Sequence, residues 1–200
     1  MGHTVDFYYD YGSPNAYLAH LQLPAILKRT GGTLALKPML LGGVFQITGN
    51  VSPATNPLKA PNGVRDMRRF IGKHRIPFLM NPHFPVNTLK MMRGAMVAEE
   101  EGYLDRYNDA MYRAMWVDGL KMDDDAVLAE ALTKAGFDAA HIAKRSQEDA
   151  IKGRLKTYTE QAAKRGVFGA PTFFVNEEMF FGQDRLEFVE DALNGKSYLS

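Results

Sequence analysis

The spacing of apolar positions changes twice between Thr4 and Leu40. From Thr4 to Tyr11, Val5, Phe7, Tyr9 and Tyr11 alternate with Thr4, Asp6, Tyr8 and Asp10. A period of two in aromatic and β-branched residues predicts a strand. Gly12 interrupts it, and Ser13-Pro14 then has the chemistry of a helix start. A serine hydroxyl at the N-cap accepts from an orphan backbone amide, and proline at the first helical position forfeits no hydrogen bond. Leu18, Leu21 and Leu23 carry this helix, with Pro24 as a bend, to a stop at Gly31-Gly32. Thr33 to Leu40 predicts a second strand. The chain therefore opens β-α-β, an order that favours parallel strands joined by a right-handed crossover.

From Val64 to Arg165 the apolar residues recur at helical spacing. The pattern predicts helices over Val64–His74, Asn87–Glu101, Leu104–Met115, Asp124–Ala135 and Asp138–Lys164, several of them separated by Gly102, Gly119 and Gly136. The Asp123-Asp124-Asp125 run reads as helix capping, since carboxylates are favoured at a helix N-terminus. Between Gly42 and Gly63 the chain is rich in Gly, Pro, Asn and Thr, and it reads as a long loop beside a cleft. The end returns to strands at Thr172–Val175 and Met179–Phe181, joined by a turn at Asn176-Glu177-Glu178. Gly182-Gln183-Asp184 then opens a last helix, Arg185–Leu193, closed by Asn194-Gly195.

Composition narrows the possible partners. A 46% hydrophobic and 24% charged chain is ordinary for a globular protein. Lys+Arg at 24 against Asp+Glu at 23 produces no large field to attract nucleic acid or an acidic membrane surface. No apolar run approaches the roughly 20 residues that a bilayer span requires. The start of the chain has neither a basic nor an apolar leader region, so a cytoplasmic location is expected. There is no cysteine, which excludes disulfides, thiolate metal sites and a cysteine nucleophile. His3, His20, His74, His83 and His141 show no metal-ligand spacing, and phosphate-binding glycine loops and serine-hydrolase elbows are absent.

Three segments could carry chemistry. Tyr11-Gly12-Ser13-Pro14-Asn15-Ala16 is a turn at the carboxyl end of the first strand, where open α/β sheets bind ligands and a helix N-terminus favours negative charge. Gly169-Ala170-Pro171-Thr172 puts a small residue and a proline directly before an apolar strand. That fits a tight turn with a cis bond and an exposed backbone, or an ordinary strand-entry proline. Phe181-Gly182-Gln183-Asp184-Arg185 places outward amides and a carboxylate at a helix start, suited to an α-amino acid head or simply to capping.

Together these segments resemble the DsbA-like branch of the thioredoxin superfamily over essentially the whole chain. The resemblance implies an α/β thioredoxin-like fold with a large all-helical insertion. The thioredoxin-like domain would be discontinuous, residues 1–42 plus 165–200, and residues 43–164 would form the loop and inserted helical domain. Redox members open the first helix with Cys-x-x-Cys, but Ser13-Pro14-Asn15-Ala16 stands here, which rules out disulfide exchange by this chain alone. Ser-Pro at this turn, Gly-x-Pro-Thr before a strand and Gly-x-Asp-Arg opening the last helix look like kappa-class glutathione transferases and 2-hydroxychromene-2-carboxylate isomerases.

The resemblance implies bound glutathione as cofactor. Ser13 would hydrogen-bond its sulfur, and Ala170, before a cis Pro171, would pair with the cysteinyl portion. Phe181, Gly182, Gln183 and Asp184 would hold the γ-glutamyl end, and Gly49-Asn50 with Lys59 the glycyl end. The strand, loop and turn motifs look closest to the bacterial isomerases of naphthalene-type aromatic degradation. This implies a small aromatic carboxylate substrate, reversible thiolate addition, and a homodimer. Lys37 and Arg75 are the candidate cations for the substrate carboxylate. Two competing readings remain: a kappa-like transferase that consumes glutathione, and a redox-inactive binding or chaperone module.

Overall fold

In the computed structural model, which describes residues 3–199, both ends of the chain build one sheet. Strands β1 (Thr4–Tyr9), β2 (Thr33–Pro38), β3 (Thr172–Val175) and β4 (Glu178–Phe181) lie in the order β2-β1-β3-β4. β1 and β2 are parallel, paired from Thr4↔Thr33 to Tyr9↔Pro38, as the helical crossover α1 (Pro14–Thr30) demands. β3 runs antiparallel to β1 with Val5 opposite Val175 and Tyr8 opposite Thr172, and β4 completes a hairpin with β3. Ser13 caps α1 by accepting from the Ala16 amide, Pro14 sits at the first turn, and Gly31 ends the helix in the left-handed region. Pro24 is accommodated inside α1.

Between the two halves of the sheet lie α2 (Leu41–Thr48), α3 (Lys59–His74), α4 (Leu89–Glu100), α5 (Leu104–Trp116), α6 (Asp125–Lys134), α7 (Ala139–Arg145) and α8 (Asp149–Lys164). A last helix, α9 (Leu186–Leu193), follows a short 3-10 turn at Gln183–Arg185. The helices and the sheet share a main core, and a smaller cluster of Tyr8, Met39, Val44, Ala162, Val167 and Phe174 packs α2 and α8 against the sheet. Phe7 stacks on Phe173 and Tyr9, and Val5, Met91, Tyr107, Tyr112 and Trp116 are buried in the main core.

Three expectations require correction. The stretch 42–63 is not a long loop: it contains most of α2, a 3-10 turn at Pro53–Thr55 and the start of α3. Gly43 permits close packing there, since a Cβ on it would lie 2.9 Å from the Thr159 methyl of α8. The single helix expected over Asp138–Lys164 is two, α7 and α8, with Asp138 capping the first and a turn at 146–148 between them. The first strand also stops two residues early. Asp10 leaves the sheet and turns its carboxylate onto the Gly12 and Leu41 amides, each at 2.8 Å.

That carboxylate ties the start of α1 to the start of α2 from a fully buried position. Nearby, the Tyr9 and Tyr11 hydroxyls both donate to Asn108 Oδ1, at 2.8 and 2.5 Å, and Trp116 Nε1 donates to the Tyr11 carbonyl at 2.8 Å. Burial pushes the Tyr9, Tyr11, Tyr107 and Tyr112 hydroxyls well above the ordinary phenol range, so this cluster stays neutral.

Two stability tests follow from this packing. Gly94 of α4 faces Tyr107, whose hydroxyl is held by the Met91 carbonyl and would collide with an added Cβ. Overpacking of about 1–3 kcal/mol should outweigh the helix preference of alanine, so Gly94→Ala should lower the urea midpoint. Desolvation raises the Asp10 pKa in the folded state, against the backbone hydrogen bonds that lower it. Its contribution is therefore fully present below the unfolded carboxylate pKa and is lost as pH rises through the folded one. The stability difference between the wild type and Asp10→Asn, from urea titrations at a series of pH values, should shift against the wild type as pH climbs above the ordinary carboxylate range.

Candidate active site

Ser13 lies just beyond β1 and Ala170 just before β3, so pairing of these two strands brings them together. The Ser13 hydroxyl donates to the Ala170 carbonyl at 2.9 Å and accepts from the Ala16 amide at 3.2 Å. The Ala170–Pro171 bond is cis, as the sequence led us to expect. The Ala170 amide has no acceptor among the described residues. The Pro171 carbonyl accepts from the Gly182 amide at 3.0 Å, which joins the third segment to the second.

A cleft of about 420 Å³ opens over this junction. Gly12, Ser13, Gly169, Ala170 and Phe181 line its floor, and Leu41 and Phe45 of α2, Met67 of α3, Met80 and Phe84 form apolar walls. Asn50 and Lys59 close the far side. Asn50 is fixed by donating to the Phe168 carbonyl at 2.8 Å, while Lys59, at the first turn of α3, is exposed. Lys59 is the one charged side chain lining the cleft among the described residues. Phe181 leans on Phe168 and over Gly169, where a Cβ would come within 2.7 Å of its ring.

The structure thus brings Ser13, Asn50, Lys59, Ala170 and Phe181 to one cleft, with Pro171 and Gly182 directly behind. Gln183 and Asp184 border the adjoining depression between α1, α3 and α9; their backbone amides have no acceptor among the described residues. Gly182 has φ of 102°, and the Asp184 carboxylate folds over the space that a side chain there would need. The two cations expected near the substrate lie elsewhere. Lys37 sits on β2, 3.9 Å from the Asp6 carboxylate. Arg75 ends α3 in the left-handed region and borders the depression that holds Asp184.

Asp10 and the apolar walls were missed from the sequence. Asp10 sat in an alternating strand pattern as an ordinary outward residue. Leu41 and Phe45 were hidden by the two glycines of α2. The start of α3 was hidden by Pro61 and Gly63, whose spacing resembles a loop.

Known proteins are similar to this chain over nearly its whole length. The family model of the DSBA-like thioredoxin domain matches residues 4–194. A 2-hydroxychromene-2-carboxylate isomerase of Sphingobium xenophagum is 30% identical over 195 residues, covering 96% of this chain and 99% of its own length. Glutathione S-transferase kappa 1 of Homo sapiens is 26% identical, covering 96% of this chain and 92% of its own. The solved structure of a 2-hydroxychromene-2-carboxylate isomerase superposes with a TM-score of 0.85 at 28% identity, covering 96% of this chain and 95% of that one. The chain belongs to the DsbA-like thioredoxin family, in the branch that holds the 2-hydroxychromene-2-carboxylate isomerases and the kappa-class glutathione transferases.

Proposed function

We propose that this chain is a glutathione-dependent isomerase that converts 2-hydroxychromene-2-carboxylate, or a closely similar aromatic carboxylate, to trans-o-hydroxybenzylidenepyruvate in aromatic degradation. The observation that carries the reading is the pairing of the Ser13 hydroxyl with the Ala170 carbonyl in a chain with no cysteine. In redox thioredoxins this helix start supplies a thiol. Here it supplies a hydroxyl donor, a helix N-terminus and unpaired backbone groups, which is the set a foreign thiolate needs.

The residues fit a peptide thiol by exchange of partners. The Ser13 hydroxyl has one proton, and it points at the Ala170 carbonyl. Turning that proton toward a sulfur frees the Ala170 carbonyl to accept from a peptide amide of the ligand, while the Ala170 amide has a donor to offer in return. No polar group is then left orphaned. Lys59 and Asn50 would hold the glycyl carboxylate, and Gly182, Gln183 and Asp184 the γ-glutamyl head. When bound, glutathione would supply a thiolate that adds reversibly to the conjugated substrate, making a double bond rotatable, and leaves again unconsumed. Ser13 would hold the sulfur ionised, and the walls of Phe45, Met67 and Phe84 would exclude water and lie along an aromatic ring.

The proposal is tested at Ser13. A charge-assisted hydrogen bond of about 1.5–3 kcal/mol is at stake, so Ser13→Ala should slow turnover roughly ten- to a hundredfold. Glutathione affinity should change much less, because most contacts lie elsewhere. Thiolate absorbance against pH should show the bound thiol titrating higher in the variant. Unchanged turnover and unchanged thiol titration would reduce Ser13 to a helix cap. A product heavier by one glutathione would replace the isomerase with the transferase reading.

A further inference from the structure

Helix α2 has two faces. Leu41 and Phe45 face the Ser13 cleft, whereas Gly43, Gln46 and Ile47 form one wall of a separate cavity of about 490 Å³ against α4 and α8. Pockets of that size commonly take small organic ligands. Its apolar part is Leu40, Leu89 and Leu155, and its polar part is cationic: Arg93 of α4 with Lys152 and Lys156 of α8, against the single carboxylate of Glu160.

Arg93 is the anomaly. Four arginines are half-buried: Arg93, Arg145, Arg154 and Arg165. Arg145 pairs with Glu100 at 2.6 Å, Arg154 with Glu99 at 2.7 Å and Arg165 with Asp6 at 2.5 Å. Arg93 has no carboxylate partner among the described residues, and its Nε is sealed from solvent with no acceptor among them. The terminal nitrogens of Arg93 are not sealed, have no acceptor among the described residues, and belong to a side chain that lines the cavity, so they are available to an anion there. Lys152 and Lys156 do not compete for it. They meet Asp149 and Glu160 only at 3.6 and 3.8 Å, in helix-surface pairs of the kind that contribute little.

We infer that this cavity is a second ligand site, for a small organic carboxylate with an apolar body. Its carboxylate lies between Arg93 and the two lysines, and its body rests on Leu40, Leu89 and Leu155. A planar carboxylate matches the guanidinium fork, and three cations against one acid select for an anion. The inference is independent of the glutathione reading, since no residue of this cavity lines the Ser13 cleft. Because one helix walls both, occupancy here bears on Leu41 and Phe45.

The test uses 1-naphthoate as probe, followed by amide chemical-shift perturbation in the intact protein. The expected result is saturable shifts at Gln46, Gly153 and Lys156. Arg93→Gln should weaken that binding about ten- to a hundredfold, the worth of a charged hydrogen bond. Lys156→Glu, an exposed position that leaves the core untouched, should weaken it in the same direction. Gly153→Phe should abolish it, because a Cβ there meets no atom within 4 Å and a ring would occupy the cavity. Ser13→Ala should leave it intact. The inference is overturned if the shifts fall only on Gly12 and Ala170, or if all three cavity variants bind as the wild type does. It is equally overturned if naphthoate does not bind and Arg93→Gln instead alters the sedimentation coefficient, which would make a second copy of the chain the partner of Arg93.

Discussion

The antiparallel pairing of β1 with β3 is the contact on which the rest of the molecule depends. Its two strands lie more than 160 residues apart along the chain, and every helix from α2 to α8 is strung between them. The last pair of the ladder is Tyr8 with Thr172. Ser13 follows Tyr8 by one turn, and Ala170 precedes Thr172 by two residues, so the register sets the reach of one to the other. A slip of one residue would turn Phe7 and Phe173 out of the core and separate the hydroxyl from its carbonyl.

The site is assembled from backbone and side chains together. The Ala170 amide and carbonyl and the amides beyond Gly182 stand beside the side chains of Ser13, Asn50 and Lys59, while Leu41, Phe45, Met67, Met80 and Phe84 wall the cleft. Asp10 supports the arrangement by binding, with one carboxylate, the Gly12 amide just before α1 and the Leu41 amide that opens α2. Both amides would lose their acceptor together if that side chain were removed, so a change at this point disturbs both walls of the cleft.

Much of this was legible in the sequence, and the limits have physical causes. The ends of the chain were readable because period-two alternation, a Ser-Pro cap and a small residue before proline each have one local meaning. Ser13, Ala170 and Pro171 were read from those motifs, Gly182 from the glycine that opens the last helix, and Asn50 from the family resemblance alone. The stretch 42–63 was misread because glycine there serves helix–helix packing against Thr159, a tertiary reason invisible to local pattern. The break between α7 and α8 was hidden because the apolar spacing continues across it. Lys37 and Arg75 were chosen only for charge, and charge has no address: one is taken by Asp6 across the sheet and the other closes a helix. Asp10 was unreadable because its two partners are the amides of Gly12 and of Leu41, the latter far along the chain.

The position of Trp116 has a practical consequence. It is the one tryptophan of the chain, fully buried, with its ring stacked on Phe78 and its indole nitrogen fastened to the carbonyl of Tyr11, two residues before Ser13. All indole emission from this protein therefore originates at a single point, clamped to the turn that begins the cleft. The molecule carries its own unlabelled optical gauge, and any rearrangement that tugs on that carbonyl is written into the colour of its fluorescence.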